Sequence, residues 1–106
     1  MNQTAYLKML EEVFGECLTI SEAKSSDYAD IDDPFKNFRA TELLGVSMEL
    51  GILVRMMDKM VRASNLLKRP AKVADEKLDD TFKDIANYAA ILAVAIKEKE
   101  TNNTNN

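Results

Sequence analysis

The segment from Ala40 to about Lys68, "ATELLGVSMELGILVRMMDKMVRASNLLK", constrains the fold more than any other part of the chain. Leu43, Val46, Leu50, Leu53, Met57, Met60 and Leu67 recur at heptad-like spacing, which puts them along one side of a helix. Leu44, Met48, Ile52 and Met56 form a second apolar flank, so this helix needs cover from two directions. Gly45 and Gly51 each weaken it by about 1 kcal/mol relative to Ala. Their spacing reads as the close approach of another helix or as two glycines simply tolerated. A helix that must be covered twice belongs in a bundle.

The rest of the chain supplies the partners. Thr4 to about Leu18 reads as a first helix, capped by Thr4, with Tyr6, Met9, Leu10, Val13 and Phe14 as its stripe. Residues 20–39, including "SEAKSSDYADIDDPFKNF", lack clean periodicity and read as a loop or a short helix begun by Ser21. Pro70 disfavours helical geometry at Arg69 and closes the helix over about 40–68. A last helix is expected over about 74–99, with Leu78, Phe82, Ile85, Ala89, Leu92 and Ile96 as its seam. Beyond Ile85 it is apolar nearly all round, which predicts central burial or a subunit interface. The residues "TNNTNN" (101–106) read as a disordered polar tail. With few Gly and Pro and no internal repeat, the expectation is all-α: a single domain over 1–100, built as a three- to four-helix bundle and assembled as a homo-oligomer.

Charge and composition exclude several function classes. A net charge of −4 argues against a protein that coats nucleic acid, although a few cations suffice for a small phosphorylated ligand. With no histidine there is no Ser-His-Asp or Cys-His machinery and no His-ligated zinc. Any metal would be a hard cation on oxygen ligands, Mg²⁺ being the expected one. The lone Cys17 reads as a small core residue and points to a reducing compartment. No apolar N-terminal run resembles a signal peptide, and no stretch is long and apolar enough for a membrane span. The expected location is the cytoplasm, the host's if the chain is phage-encoded.

Two polar patterns interrupt the apolar ones. Glu76, Asp80 and Asp84 stand one above another on a single helix face, opposite the Leu78–Phe82–Ile85 seam. They read as a solvated face whose acids suit a helix N-terminus, as a cation site, since like charges at four-residue steps repel, or as an interface to basic side chains. On the preceding helix Arg55, Asp58, Lys59, Arg62 and Asn65 share one polar strip. This is an ion-pair ladder with Asp58 serving both arginines, or a phosphate clamp of Arg forks and a Lys point charge. If the two helices pack antiparallel, strip and stripe meet. Asp58, Glu76, Asp80 and Asp84 would then hold Mg²⁺, while Arg55, Lys59, Arg62 and Asn65 take phosphates. Lys24, Tyr28, Asn37 and Phe38 join the candidate pocket from the preceding segment, where Tyr28, Phe35 and Phe38 anchor the chain or stack on a base. Asn87 and Tyr88 are expected to be a satisfied core pair.

The ordered blocks "KSSDYADIDDPFKNF", "RMMDKMVRASNL" and "DEKLDDTFKDIANYA", from about Lys24 to Leu92, resemble the small phage and bacterial domain called nucleotide modification associated domain 1. A looser similarity is to all-α nucleotide pyrophosphohydrolases of the MazG and dimeric dUTPase type. Those enzymes hold Mg²⁺ with EExxE on one helix and ExxD on the next. Glu76, Asp80 and Asp84 resemble the second half of that signature. Glu42, Glu49 and Asp58 do not make the first half, and Glu11–Glu12 lacks the third acid. The incomplete signature favours capture of a phosphorylated nucleotide, such as a cyclic or signalling one, without turnover. The analogy is with small phage proteins that sequester host immune signals. Mg²⁺-dependent pyrophosphohydrolysis and a helical interaction module without a ligand are the alternatives.

Overall fold

The computed structural model describes residues 1–28, 32–68 and 77–105. They form helices α1 (Gln3–Tyr28), α2 (Met48–Lys68) and α3 (Leu78–Asn105), with a 3-10 helix (Lys36–Leu44) before α2. No strand occurs among the described residues, so the chain is all-α. It divides into two compact units, Met1–Asn37 and Phe38–Asn106.

In the first unit α1 starts earlier than a Thr4 cap predicts. Asn2 caps it: its Oδ1 accepts from the Ala5 N–H at 2.9 Å, a bond that satisfies an otherwise orphaned amide. The helix then passes straight through Leu18 and Ser21. "SEAKSS" carries no Gly or Pro to stop it, and polarity alone does not end a helix. Cys17 is buried, as expected of a small core thiol. Asp33 and Pro34 build the next turn: Asp33 accepts from the Phe35 N–H through Oδ1 and from the Lys36 N–H through its carbonyl, both at 3.2 Å. Proline at the second position of such a turn presets its dihedral. The turn delivers Phe35 to a buried position.

The second unit opens with the 3-10 helix, where the sequence pattern predicts the start of the long helix. Gly45 ends it at φ 77°. Gly adopts that conformation without strain. The Val46 N–H reaches the Thr41 carbonyl at 3.1 Å and the Gly45 N–H reaches that of Glu42 at 3.0 Å, which is a Schellman closure. Ser47 then caps α2, its Oγ accepting from the Leu50 N–H at 3.2 Å, as a helix N-terminus requires. The expected helix over 40–68 is therefore two helices joined at Gly45, because heptad spacing does not register a left-handed residue. Gly51 does mark a close approach. A Cβ there would lie 2.8 Å from Thr41 Cγ2 and 2.9 Å from Thr41 Oγ1, so the 3-10 helix sits directly on α2.

Helices α2 and α3 form an antiparallel pair. Lys99 meets Glu49 at 2.7 Å and Lys59 meets Asp84 at 3.0 Å, so rising numbers on one helix match falling numbers on the other. The side of α2 turned to α3 carries Met48, Ile52, Met56, Lys59, Ala63 and Leu66, with Ile52 only 1% exposed. This is the flank expected to be secondary. The heptad seam expected to be primary faces outward: Leu50, Leu53, Met57, Met60 and Leu67 are all exposed, and so are Val54 and Val61.

A similar shift occurs on α3. Thr81 and Ala95 are buried and in line with Asp84, Tyr88 and Leu92, while Phe82, Ala89 and Ile96 from the predicted seam are exposed. Small residues explain the choice, since Ala63, Thr81 and Ala95 let backbones approach. The ion pairs fix the register at both ends. α3 also continues through Thr101 to Asn105, the residues read as a tail, with the Thr101 hydroxyl donating to the Lys97 carbonyl at 3.0 Å. No helix among the described residues is long and apolar enough to cross a membrane.

Candidate functional site

The polar strip of α2 lies on one side of the Lys59 line, and antiparallel packing sets it beside one flank of α3. Arg55, Asp58 and Arg62 occupy that side of α2, and Asp80 and Asn87 occupy the same side of α3. The 3-10 helix borders it through Phe38. Gly51 is what admits this helix, since any larger residue would push Thr41 off α2. Thr41 is held in turn by its hydroxyl, 3.3 Å from the Ser47 carbonyl and 3.4 Å from that of Phe38.

The result is a stack. The Arg55 guanidinium carbon lies 5.2 Å from the centroid of the half-buried Phe38 ring. Such a contact engages the guanidinium through its charge and leaves its N–H groups able to donate. Arg55 makes no hydrogen bond or ion pair among the described residues. Its N–H groups are unclaimed there, as a bidentate phosphate donor requires.

Lys59 is placed differently. Its ammonium pairs with Asp84 at 3.0 Å, with the two side chains 29% and 21% exposed. Strip and stripe therefore meet, as antiparallel packing predicts, but the meeting occupies an ammonium that a phosphate would need. Asp58 does not serve Arg55 and Arg62 as a ladder: among the described residues it makes no ion pair or hydrogen bond. Arg62 and Asn65 are exposed on the strip. Lys24, exposed on α1, and Asn37, exposed on the 3-10 helix, belong to the first unit. The side chain of Tyr28 lies outside the described residues.

The acidic stripe is relieved by lysines. Lys83 reaches Asp79 at 3.3 Å and Asp80 at 3.8 Å, although sequence spacing sets it off the Asp80–Asp84 line. A four-carbon stem spans that offset, so counting charges along one line overstates the repulsion. Among the described residues no three carboxylate or thiol groups converge to hold a metal ion. Of the four acids considered for Mg²⁺, Asp84 faces Lys59, Asp80 faces Lys83, and Asp58 stands on α2. Glu76 lies outside the described residues.

At the far end of the pair, the Lys99 ammonium donates to Glu49 Oε1 at 2.7 Å. That bond, helped by Glu49's own backbone N–H, holds its carboxyl below the ordinary value against the opposing effect of burial.

Asn87 departs most from expectation. Instead of a satisfied core amide, it has an Nδ2 that is buried with no hydrogen-bond partner. A buried donor without a partner costs about 1–3 kcal/mol. The sequence signal was visible, an amide inside an Ala-rich helical run, but pairing depends on what the opposite helix presents. Asn87 lies level with Met56, whose thioether offers only a weak acceptor.

No family model, curated protein or solved structure matches the chain.

Proposed function

We propose that the protein binds a phosphorylated nucleotide, without turning it over, on the polar side of the α2–α3 pair. The observation that carries this reading is Arg55: a guanidinium 5.2 Å from the Phe38 ring centroid, its N–H groups without an acceptor among the described residues. The ring contact restrains the side chain, which lowers the ordering cost of engaging a ligand. Arg62 and Asn65, about two and three turns further along α2, extend the same strip. The sequence resemblance to the nucleotide modification associated domain is the ground for the ligand class, and sequestration of a host signal is the biological role by analogy with small phage proteins. Capture is preferred over hydrolysis because the described carboxylates Asp80 and Asp84 are turned to lysines and do not converge on a metal.

The test is mass spectrometry of purified protein incubated with linear and cyclic nucleotides and Mg²⁺. Capture predicts a nucleotide retained intact and released on denaturation. Arg55→Ala lowers its affinity about tenfold or more, in line with about 1.5–3 kcal/mol for a hydrogen bond to a charged group. Monophosphate and pyrophosphate accumulating beyond the protein concentration would instead establish a Mg²⁺-dependent pyrophosphohydrolase.

A second reading rests on the outward face of α2. Leu50, Leu53, Val54, Met57, Met60, Val61 and Leu67 form a broad exposed apolar arc. A face of this kind marks an interaction surface, and a homo-oligomer is the assembly it suits best. Sedimentation across about a hundredfold concentration range tests it: a monomer throughout removes the oligomer. A protein that associates but retains no nucleotide is the helical module alone.

A further inference from the structure

Asn87 is unexplained by packing and unused by a phosphate clamp, yet it lies beside that clamp. Its Nδ2 is buried without a partner, while the residue as a whole stays partly exposed. It sits three residues along α3 from Asp84, an axial step of about 4.5 Å. That step leads away from the level of Lys59 and towards Arg55 on the antiparallel helix. No hydrogen bond holds the Nδ2, so turning the carboxamide about its last torsion frees no donor that is now paired, and that torsion has a broad potential. A leucine of similar size would fill the same space without an orphaned donor. An unsatisfied group of this kind calls for a partner, and none of the described residues supplies it.

We infer that Asn87 recognises the base of the captured nucleotide, while Arg55 and Arg62 take its phosphates. Both polar atoms of a carboxamide find partners on a nucleobase edge, whereas a phosphate, which only accepts, answers its Nδ2 alone. The inference rests on the capture reading and adds to it that the ligand carries a base and that the base is read. Arg55 and Asn87 divide the work by chemistry: the charged fork supplies attraction common to all nucleotides, and the neutral amide supplies discrimination. An amide left without its partner penalises a ligand that lacks the base, which is how buried hydrogen-bonding groups produce selectivity.

The experiment is calorimetric titration of wild type, Asn87→Leu and Asn87→Ala with inorganic tripolyphosphate and, separately, with ATP, GTP, CTP and UTP, alongside thermal melts without ligand. In wild type at least one nucleotide binds ten times or more tightly than tripolyphosphate. In Asn87→Leu that advantage disappears, tripolyphosphate affinity stays within twofold of wild type, and the melting temperature is equal or higher. If the nucleotide keeps its advantage in Asn87→Leu, the amide does not read the base, and the phosphate reading stands without it. If tripolyphosphate and all four nucleotides bind wild type equally, base recognition is wrong and phosphate capture survives. If none of them binds wild type and the linear and cyclic pool leaves no nucleotide on the protein, both readings fall together; a cyclic nucleotide retained from that pool takes the place of the four in the same comparison. Should Asn87→Leu melt early through crowding, Asn87→Ala, which cannot overfill the site, decides. An early melt in both variants makes the amide structural and overturns the inference.

Discussion

The two sides of α2 are similar in hydrophobicity but differ in what covers them. Towards α3 lie Met48, Ile52, Met56, Ala63 and Leu66, with a lysine in their midst. On the outward side lie Leu50, Leu53, Val54, Met57, Met60 and Val61, larger on average and more regularly spaced, and all of them are exposed. Hydrophobic content alone would have chosen the outward side as the core. The inward side takes α3 because the small residues Ala63, level with Thr81, and Ala95, towards the other end of the pair, permit close approach, and because Lys59 and Glu49 find Asp84 and Lys99 there. Apolar area is non-directional, so it leaves the partner open, while small residues and charge pairs decide which face it meets.

The sharpest way to break this contrast is to empty each side in turn. Ile52 is 1% exposed. Ile52→Ala is expected to cost about 2–5 kcal/mol by urea denaturation. Met57, by contrast, is 58% exposed. Met57→Ala is expected to change the stability of the isolated chain by about 0.5 kcal/mol at most. A loss at Met57 as large as that at Ile52, and dependent on protein concentration, would show that the outward side is covered in solution.

The next largest effect concerns the approach of the 3-10 helix. Gly51→Ala gains about 1 kcal/mol of helix propensity but drives a methyl against Thr41. Thr41 is tied by its hydroxyl and cannot swing away without losing those bonds. A net loss of about 1–2 kcal/mol is expected in a thermal melt, in keeping with overpacked positions. In a Thr41→Ala background the same change is expected to cost less, and equal costs would mean that the crowding lies elsewhere.

Asp84→Asn strands Lys59 in the part-buried seam and is expected to cost about 1–2 kcal/mol, between the values for exposed and buried pairs. Replacing the pair together, as Lys59→Met with Asp84→Leu, is expected to recover most of that loss. Failure to recover would show that the ion pair does more than offset its own burial.

Among the paired side chains the smallest expected effect is at Glu49. Its folded-state carboxyl titrates below the unfolded value, so its contribution is present above the ordinary carboxylate range and is lost as pH falls through the folded value. Lys99 is 62% exposed. Screening therefore keeps the contribution under about 1 kcal/mol. Glu49→Gln should lose less stability than wild type between about pH 5 and pH 3, and parallel curves would remove Glu49 from the acid response.

Much of the candidate site was legible in the residues. Arg55, Arg62 and Asn65 share a strip because three- and four-residue steps place them there whatever α3 does. Phe38 was legible as an anchor or a base-stacking aromatic but not as the partner of Arg55, since the turn at Gly45 brings it back across α2. Asn87 was visible as an amide in an apolar helix, but its lack of a partner was not.

The sequence by itself determined that this chain is all-α, where its polar strip runs, and that one helix carries apolar surface for two neighbours. These are properties of periodicity, and periodicity is local. The tertiary structure alone decided which flank meets α3, that Lys59 answers Asp84, and that Asn87 is left with a buried, unpaired N–H. Those depend on register between segments distant in the chain, where a shift of one residue turns every facing side chain by about 100°.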